Sequence, residues 1–236
     1  MKNFAFLVLS CFFYFGLNAQ SPIGAWETFH TSEEGEKIRT VVVFSEGYQV
    51  ATNYNAKSGA FIDTNGGSWS LEGKTMTEIV EFDTRNPDNV GNTVSFEIQI
   101  SEEELSIVGH EMKLKRIDNG NPGKLEGAWL MSGRVRDGKT QTRDTNRPRK
   151  TMKILSGTRF QWIAYNTETK QFMGTGGGTY TTIDGKYTEN IEFFSRDNSR
   201  AGASLKFNFE MIDGSWHHKG FSSKGDSMHE IWSKRQ

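Results

Sequence analysis

The sequence predicts an all-β protein: two tandem eight-stranded antiparallel up-and-down barrels. The first observation behind this is a repeat. Residues 40–100 are answered by residues 151–211, each partner 111 positions later and with no overall gap. Tyr54-Asn55 meets Tyr165-Asn166, Gly66-Gly67 meets Gly177-Gly178, and Trp69 meets Tyr180. Glu78, Glu81 and Phe82 meet Glu189, Glu192 and Phe193. A repeat this long is one domain written twice, not a solenoid unit. The second observation is composition. The chain has 25 Gly and 4 Pro, with 12% aromatics, which suits many short strands joined by tight turns. The third is periodicity. From Thr93 to Ile100 the apolar Val94, Phe96, Ile98 and Ile100 alternate with Ser95, Glu97 and Gln99, a half-buried strand, and no segment holds a helical period.

In order, the first unit opens with Gly24-Ala25-Trp26. The polar stretch 31–35 is a loop, and the Val-rich stretch 37–45 is a strand. Gly47 turns the chain into a strand over 48–55, and Asn55-Ala56-Lys57-Ser58-Gly59 is turn chemistry. The next strand, 61–71, is interrupted by Asn65-Gly66-Gly67, which predicts a bulge or loop. Strands over 75–82 and 93–100 flank a loop at Asn86-Pro87-Asp88-Asn89, and strands near 105–108 and 111–117 finish the unit. A linker over 118–126 follows, and Gly127-Ala128-Trp129 restates the opening. Trp26 to Thr40 spans 14 positions and Trp129 to Thr151 spans 22, so the second unit has a longer first loop. That loop, 134–153, is strongly basic and reads as a solvated, mobile lid. The resulting division is 1–19 signal peptide, 20–117 first barrel, 118–126 linker and 127–236 second barrel.

Closure follows from the strand count. A sheet with one apolar face and few helices to cover it buries that face by curling on itself, which also removes its edges. Eight strands leave room for packed side chains or one small ligand. A two-sheet sandwich is the alternative. Gly24-Ala25-Trp26 with Arg116, and Gly127-Ala128-Trp129 with Arg235, resemble the Gly-x-Trp and terminal-strand Arg pattern of lipocalins and the wider calycin superfamily. The mature chain is similar to secreted lipocalin-like proteins of Gram-negative bacteria. That resemblance implies the barrel fold and implies no particular activity.

One basic residue (Lys2), an apolar run to Leu17 and a small residue at Ala19 make a secretory signal peptide, with cleavage expected after Ala19. The expected location is secreted or periplasmic. Leu9 and Ser10 fit a lipid-attachment box around Cys11 poorly. Cys11 is the only cysteine, so the mature chain has neither disulfide nor thiol chemistry. A net charge of −1 argues against general nucleic-acid binding. No later apolar run is long enough to insert stably in a membrane once the signal is removed.

The fifth strand of each unit is the most informative for chemistry. Glu189 shares a face with Tyr187, Ile191 and Phe193, and Glu78 with Met76, Val80 and Phe82. A carboxylate on an apolar face needs a partner or a raised pKa. It reads two ways: a ligand-facing acid, or a Glu paired within the barrel. Phe160, Trp162, Tyr180, Tyr187, Phe207 and Phe209 join Glu189 as candidate ligand-binding residues, since an aromatic-lined cavity suits a flat apolar ligand or a sugar ring. The alternative is that they simply fill the barrel. His217-His218 and His229-Glu230 match no metal spacing and read as surface histidines, so no metal and no cofactor is expected. Gly174-Thr175-Gly176-Gly177-Gly178 is followed by a strand, not a helix, and reads as a bulge or turn, not a phosphate loop.

The leading functional expectation is a secreted protein binding a small apolar or carbohydrate ligand in the second barrel. An alternative is an enzyme of isomerase, lyase or hydrolase type, with Glu189 as general acid/base and Tyr187, Tyr180 or His229 assisting. A third is a cell-envelope interaction module with the two barrels packed as one body.

Overall fold

The structure is a computed structural model that describes residues 21–121, 123–222 and 225–235. The signal-peptide assignment and Cys11 lie outside the described residues. The first eight strands are β1 (Gly24–Thr31), β2 (Lys37–Ser45), β3 (Tyr48–Asn55), β4 (Phe61–Glu72), β5 (Thr75–Asp83), β6 (Thr93–Ile100), β7 (Glu104–Ile107) and β8 (Lys113–Asp118). They form a closed antiparallel barrel in chain order. The second unit comprises β9 (Gly127–Arg136), β10 (Lys139–Thr142), β11 (Arg149–Leu155), β12 (Arg159–Asn166), β13 (Gln171–Ile183), β14 (Lys186–Phe194), β15 (Ser204–Ile212), β16 (Ser215–Phe221) and β17 (Ser227–Lys234). Pairing of β17 with β9 closes it as an eight-stranded barrel, with β10 attached to β9 alone. Both barrels fit a lipocalin-like fold. No described helix is long and apolar enough to cross a membrane.

The segment 134–153, read from sequence as a loop, is largely strand. The outer half of β9 turns at Asp137-Gly138 into β10, and the chain is back in the barrel wall from Arg149. The eight additional residues therefore build a hairpin that extends the rim.

Each barrel has its own interior, and a third core lies between them. Trp26, Val42, Phe44, Met76, Ile98, Leu105 and Leu114 fill the first barrel. Leu125, Trp129, Leu155, Phe160, Tyr187, Phe207, Trp216 and Trp232 belong to the second. The third core brings Val41, Val43, Val50, Tyr54 and Phe82 against Leu130, Met152, Ile154, Ile163, Tyr165 and Phe193. β2 and β11 are buried in consecutive runs, Thr40–Ser45 and Met152–Leu155, because one face looks into a barrel and the other into this shared core.

Two bulges make the shared core possible. The register between β4 and β5 shifts at Gly66/Gly67, and that between β13 and β14 at Gly177/Gly178. A Cβ on Gly67 or Gly178 would overlap the carbonyl oxygen of Ile79 or Asn190, so these positions require glycine. The extra residues opposite them are Glu81 and Glu192. Simple alternation would put Phe82 with Glu78, and Phe193 with Ile191, inside the barrels. The bulge rotates both phenylalanines outward, and they join the shared core. There the repeat crosses over. Tyr165 of the second unit donates to Glu81 of the first, and Tyr54 of the first donates to Glu192 of the second. Phe82 packs on Tyr165 and Phe193 on Tyr54, each pair with centroids 4.9 Å apart. Arg235 serves Glu81 at 2.6 Å, while Arg159 and Arg39 serve Glu192 at 2.5 and 2.9 Å.

The tryptophan pattern holds in full only in the first unit. Arg116 pairs with Trp26 in the sheet and covers its ring at 3.9 Å. In the second unit Lys234, not Arg235, is the residue opposite Trp129, with its ammonium 6.0 Å from the ring. Neighbouring strand residues face opposite ways, so Arg235 points to the first barrel and lies 4.0 Å over Tyr48.

Candidate functional site

The second barrel is packed at one end and hollow at the other. At the end where β11 turns into β12, Leu125, Trp129, Leu155, Phe160, Tyr180, Tyr187 and Trp216 interlock. Tyr180 donates its hydroxyl to the Ser156 carbonyl at 2.6 Å, and Trp129 donates to Leu125 at 2.9 Å. Above this plug lies a cavity of about 460 Å³, lined by Met131, Thr151, Trp162, Ile191, Phe194 and Leu205 among others. Its mouth is the end formed by the β9–β10 hairpin and the β14–β15 and β16–β17 connections.

Between plug and cavity sits a buried ionic cluster. Lys153 (β11), Glu189 (β14), His218 (β16) and Glu230 (β17) all line the cavity. Lys153 Nζ donates to Glu189 Oε1 at 2.7 Å, and both side chains are almost completely buried. The same ammonium is 3.5 Å from His218 Nδ1, which is also 3.5 Å from Glu230 Oε2. Tyr187, Trp216 and Trp232 surround the ammonium with ring centroids 5.0–5.2 Å away. Their negative π faces help hold a cation away from water. Burial, then the Lys153 charge, push the His218 imidazole below its ordinary pKa. It is therefore neutral near pH 7 despite its glutamate neighbour. Burial alone would raise the Glu230 carboxyl, but the His218 hydrogen bond and the Lys153 charge hold it below the usual range. Burial and the Glu189 charge push the Tyr187 hydroxyl far up, so it stays protonated. Among the described residues, Tyr187 Oη, Trp216 Nε1 and His218 Nε2 have no hydrogen-bond partner in good geometry. Their rings are in mutual contact at 5.1–5.4 Å. Three unsatisfied buried polar atoms in one place are uncommon in a finished core.

Of the residues read from sequence, Trp162, Glu189 and Phe207 line the cavity. Phe160, Tyr180 and Tyr187 form the plug beneath it, and Phe209 packs half-buried against the same core. His229 is on the outer surface, its Nε2 3.0 Å from His217 Nδ1, so it cannot assist Glu189. The inward residues are the sequence neighbours of this pair, His218 beside His217 and Glu230 beside His229. Among the described residues no three His, Cys, Asp or Glu come together as a metal site. Glu78, the counterpart of Glu189, has Val42 where Glu189 has Lys153, and no lysine among the described residues pairs with it. Burial raises its carboxyl to about 7, partly offset by a hydrogen bond from Gln49.

The sequence reading places Lys153 in a solvated loop and the His217-His218 and His229-Glu230 pairs at the surface, although the repeat contains a signal for Lys153 and His218 as interior residues. At the 111-residue offset Lys153 answers Val42, and His218 answers Ile107, which packs against the first barrel's core. Polar residues replacing aliphatic ones at interior positions of a duplicated scaffold mark where the second copy departs from mere packing.

Residues 124–236 match the family model described as a domain of unknown function (DUF4488). The match spans the second barrel and leaves the first unmatched. No curated protein matches the chain.

Proposed function

We propose that this is a secreted lipocalin-like protein of the calycin type whose second barrel holds one small ligand of apolar or carbohydrate character. The observation that carries this reading is the 460 Å³ cavity above the Lys153–Glu189–His218–Glu230 cluster. Apolar walls with a few convergent polar groups are the usual make-up of a small-molecule site. The first barrel has Val42 and Ile107 at two of those positions, and this supports assigning the ligand to the second. Trp162, Phe194 and Leu205 supply flat and branched apolar surface, and Glu189 and Glu230 supply acceptors for hydroxyl or amino groups.

The test is extraction of the purified, secreted protein followed by mass spectrometry, beside Leu205→Trp, which fills the cavity. One small molecule released per wild-type chain and none from the variant is the expected result. Equal release, or none from either, refutes the reading.

A second reading, catalysis by proton transfer, is favoured by the His218–Glu230 pair. Glu189 is engaged by Lys153, so the general base moves from Glu189 to His218: neutral, oriented through Nδ1, with Nε2 unengaged. In that case His218→Gln abolishes turnover of the extracted compound while leaving its affinity within a few-fold. Unchanged turnover removes the catalytic reading.

A further inference from the structure

The hairpin that only the second unit carries places arginines at the lip of the cavity. Arg134 (β9), Arg143 (after β10) and Arg149 (start of β11) surround a recess of about 470 Å³ together with Gln141. Met131 and Thr151 line both this recess and the main cavity, so the two spaces share a wall. Arg143 reaches across that wall, its Nη1 3.5 Å from Met131 Sδ and 3.4 Å from Thr151 Oγ1. Arg134 donates to the neutral Gln141 at 2.8 Å, and Arg149 lies against Met173 Sδ at 3.4 Å. Among the described residues no carboxylate pairs with any of these three arginines. The nearby acid Asp144 is engaged by Arg147 at 3.8 Å. Burial, then the positive charges of Arg149, Arg134 and Arg147, push the Arg143 guanidinium below its ordinary pKa. Glu230 is the cross-strand neighbour of Arg134 but pairs with His218, so these three guanidiniums repel one another with no ion-paired acid among the described residues, a cost to the fold that a bound anion would remove.

We propose that Arg143, with Arg134 and Arg149, binds the anionic head group of an amphiphilic ligand whose apolar body occupies the second barrel. This inference rests on the cavity reading above and adds the ligand's class: a carboxylate, phosphate or sulfate joined to an apolar chain or ring system. The polarity of the site supports that orientation. The cluster beneath the cavity has two glutamates to one lysine and a neutral imidazole, so it repels an anion, whereas the lip attracts one. The guanidinium fork offers two parallel donors to either a carboxylate or a phosphate.

The experiment measures binding to the full mature chain by tryptophan fluorescence, Trp162 and Trp232 reporting, and by calorimetry. The probes are dodecanoate, dodecyl phosphate, dodecanol and inorganic phosphate. The proteins are wild type, R143Q/R149Q and the cavity-filling L205W, each checked for an unchanged circular dichroism spectrum. Expected are at least ten-fold tighter binding of one or both anionic probes than of dodecanol, and loss of that difference in R143Q/R149Q. Dodecanol affinity should be untouched by the arginine changes. Raising salt should weaken only the anionic probes. Comparison of the two anionic probes decides between carboxylate and phosphate. Equal affinity for dodecanol and both anions in the wild type overturns the proposal while leaving the cavity reading intact. Anion binding that survives R143Q/R149Q overturns it as well. Failure of all three amphiphiles overturns the proposal and leaves the cavity reading to the extraction experiment, and anionic amphiphiles that still bind L205W, with phosphate alone binding equally well, overturn it by showing a surface anion site unconnected to the barrel.

Discussion

The decisive residue-scale feature is a buried charge whose partner differs between the two units. Glu189 is held by Lys153 at 2.7 Å, and among the described residues no cation pairs with Glu78. Removing one member of a buried pair leaves the other uncompensated, typically costing about 3–5 kcal/mol. Lys153→Met is expected to destabilise the protein by that amount in urea titration, and Lys153→Met/Glu189→Leu to regain most of it. If the single variant is as stable as wild type, the pair contributes nothing to the fold. Glu78 makes the opposite case. Its folded pKa of about 7 lies above the ordinary 4.5, so between those values the native state keeps a proton that the unfolded chain has released. Stability from this group therefore falls as pH rises through that interval. Glu78→Gln should flatten the dependence and make the protein more stable above pH 7, by on the order of 2–3 kcal/mol. Melting curves at pH 5 and pH 8 check this, and an unchanged difference between the two pH values would refute it.

At the scale of the element, two bulges decide which side chains face where. Gly178→Ala would press a methyl group onto the Asn190 carbonyl and force β13 away from β14. A loss of about 2–3 kcal/mol is expected from urea titration, with Tyr54 and Glu192 pulled out of contact. A wild-type midpoint would show that the bulge accommodates a side chain. The bulges also explain what the sequence revealed and what it hid. Paired glycines in a strand announce an irregularity at 66–67 and 177–178, and strict alternation locates the barrel-facing side of β6. Alternation fails across a bulge, however, so it points Phe82 and Phe193 into the barrel interiors, whereas they belong to the shared core. Lys153 was hidden for a related reason. β11 is buried on both faces, so a lysine there breaks no visible alternation, and it sits at the end of a basic stretch that reads as solvent-exposed. His218 and Glu230 each sit beside a surface residue of similar kind, His217 and His229. Only strand register separates the inward member from the outward one.

For the whole molecule, the duplication is a packing device as much as a sequence pattern. Each unit presents a tyrosine, a bulge glutamate and a bulge phenylalanine to the other, so the shared core is nearly self-complementary, as an isologous contact is. It is also tied together by charge. Burial alone would raise the Glu192 carboxyl, but hydrogen bonding and charge from Arg159, then Tyr54 and Arg39, keep it below its ordinary range. Asp118, ending the first barrel, accepts from Ser156, Gly157 and Thr158 of the second at 2.8–3.1 Å. A surface of this kind, largely apolar with its charges paired, couples the two barrels more strongly than a flexible linker would. The expected consequence is one cooperative unfolding transition in scanning calorimetry. Val43→Asp places a carboxylate in the shared core while leaving both barrel interiors unaltered. It should lower that single transition for both barrels together, as followed by aromatic signals from Trp69 in the first barrel and from Trp216 and Trp232 in the second. Two separate transitions, with only the first barrel's moving, would mean that the barrels are independent and that the cavity in the second owes nothing to its neighbour.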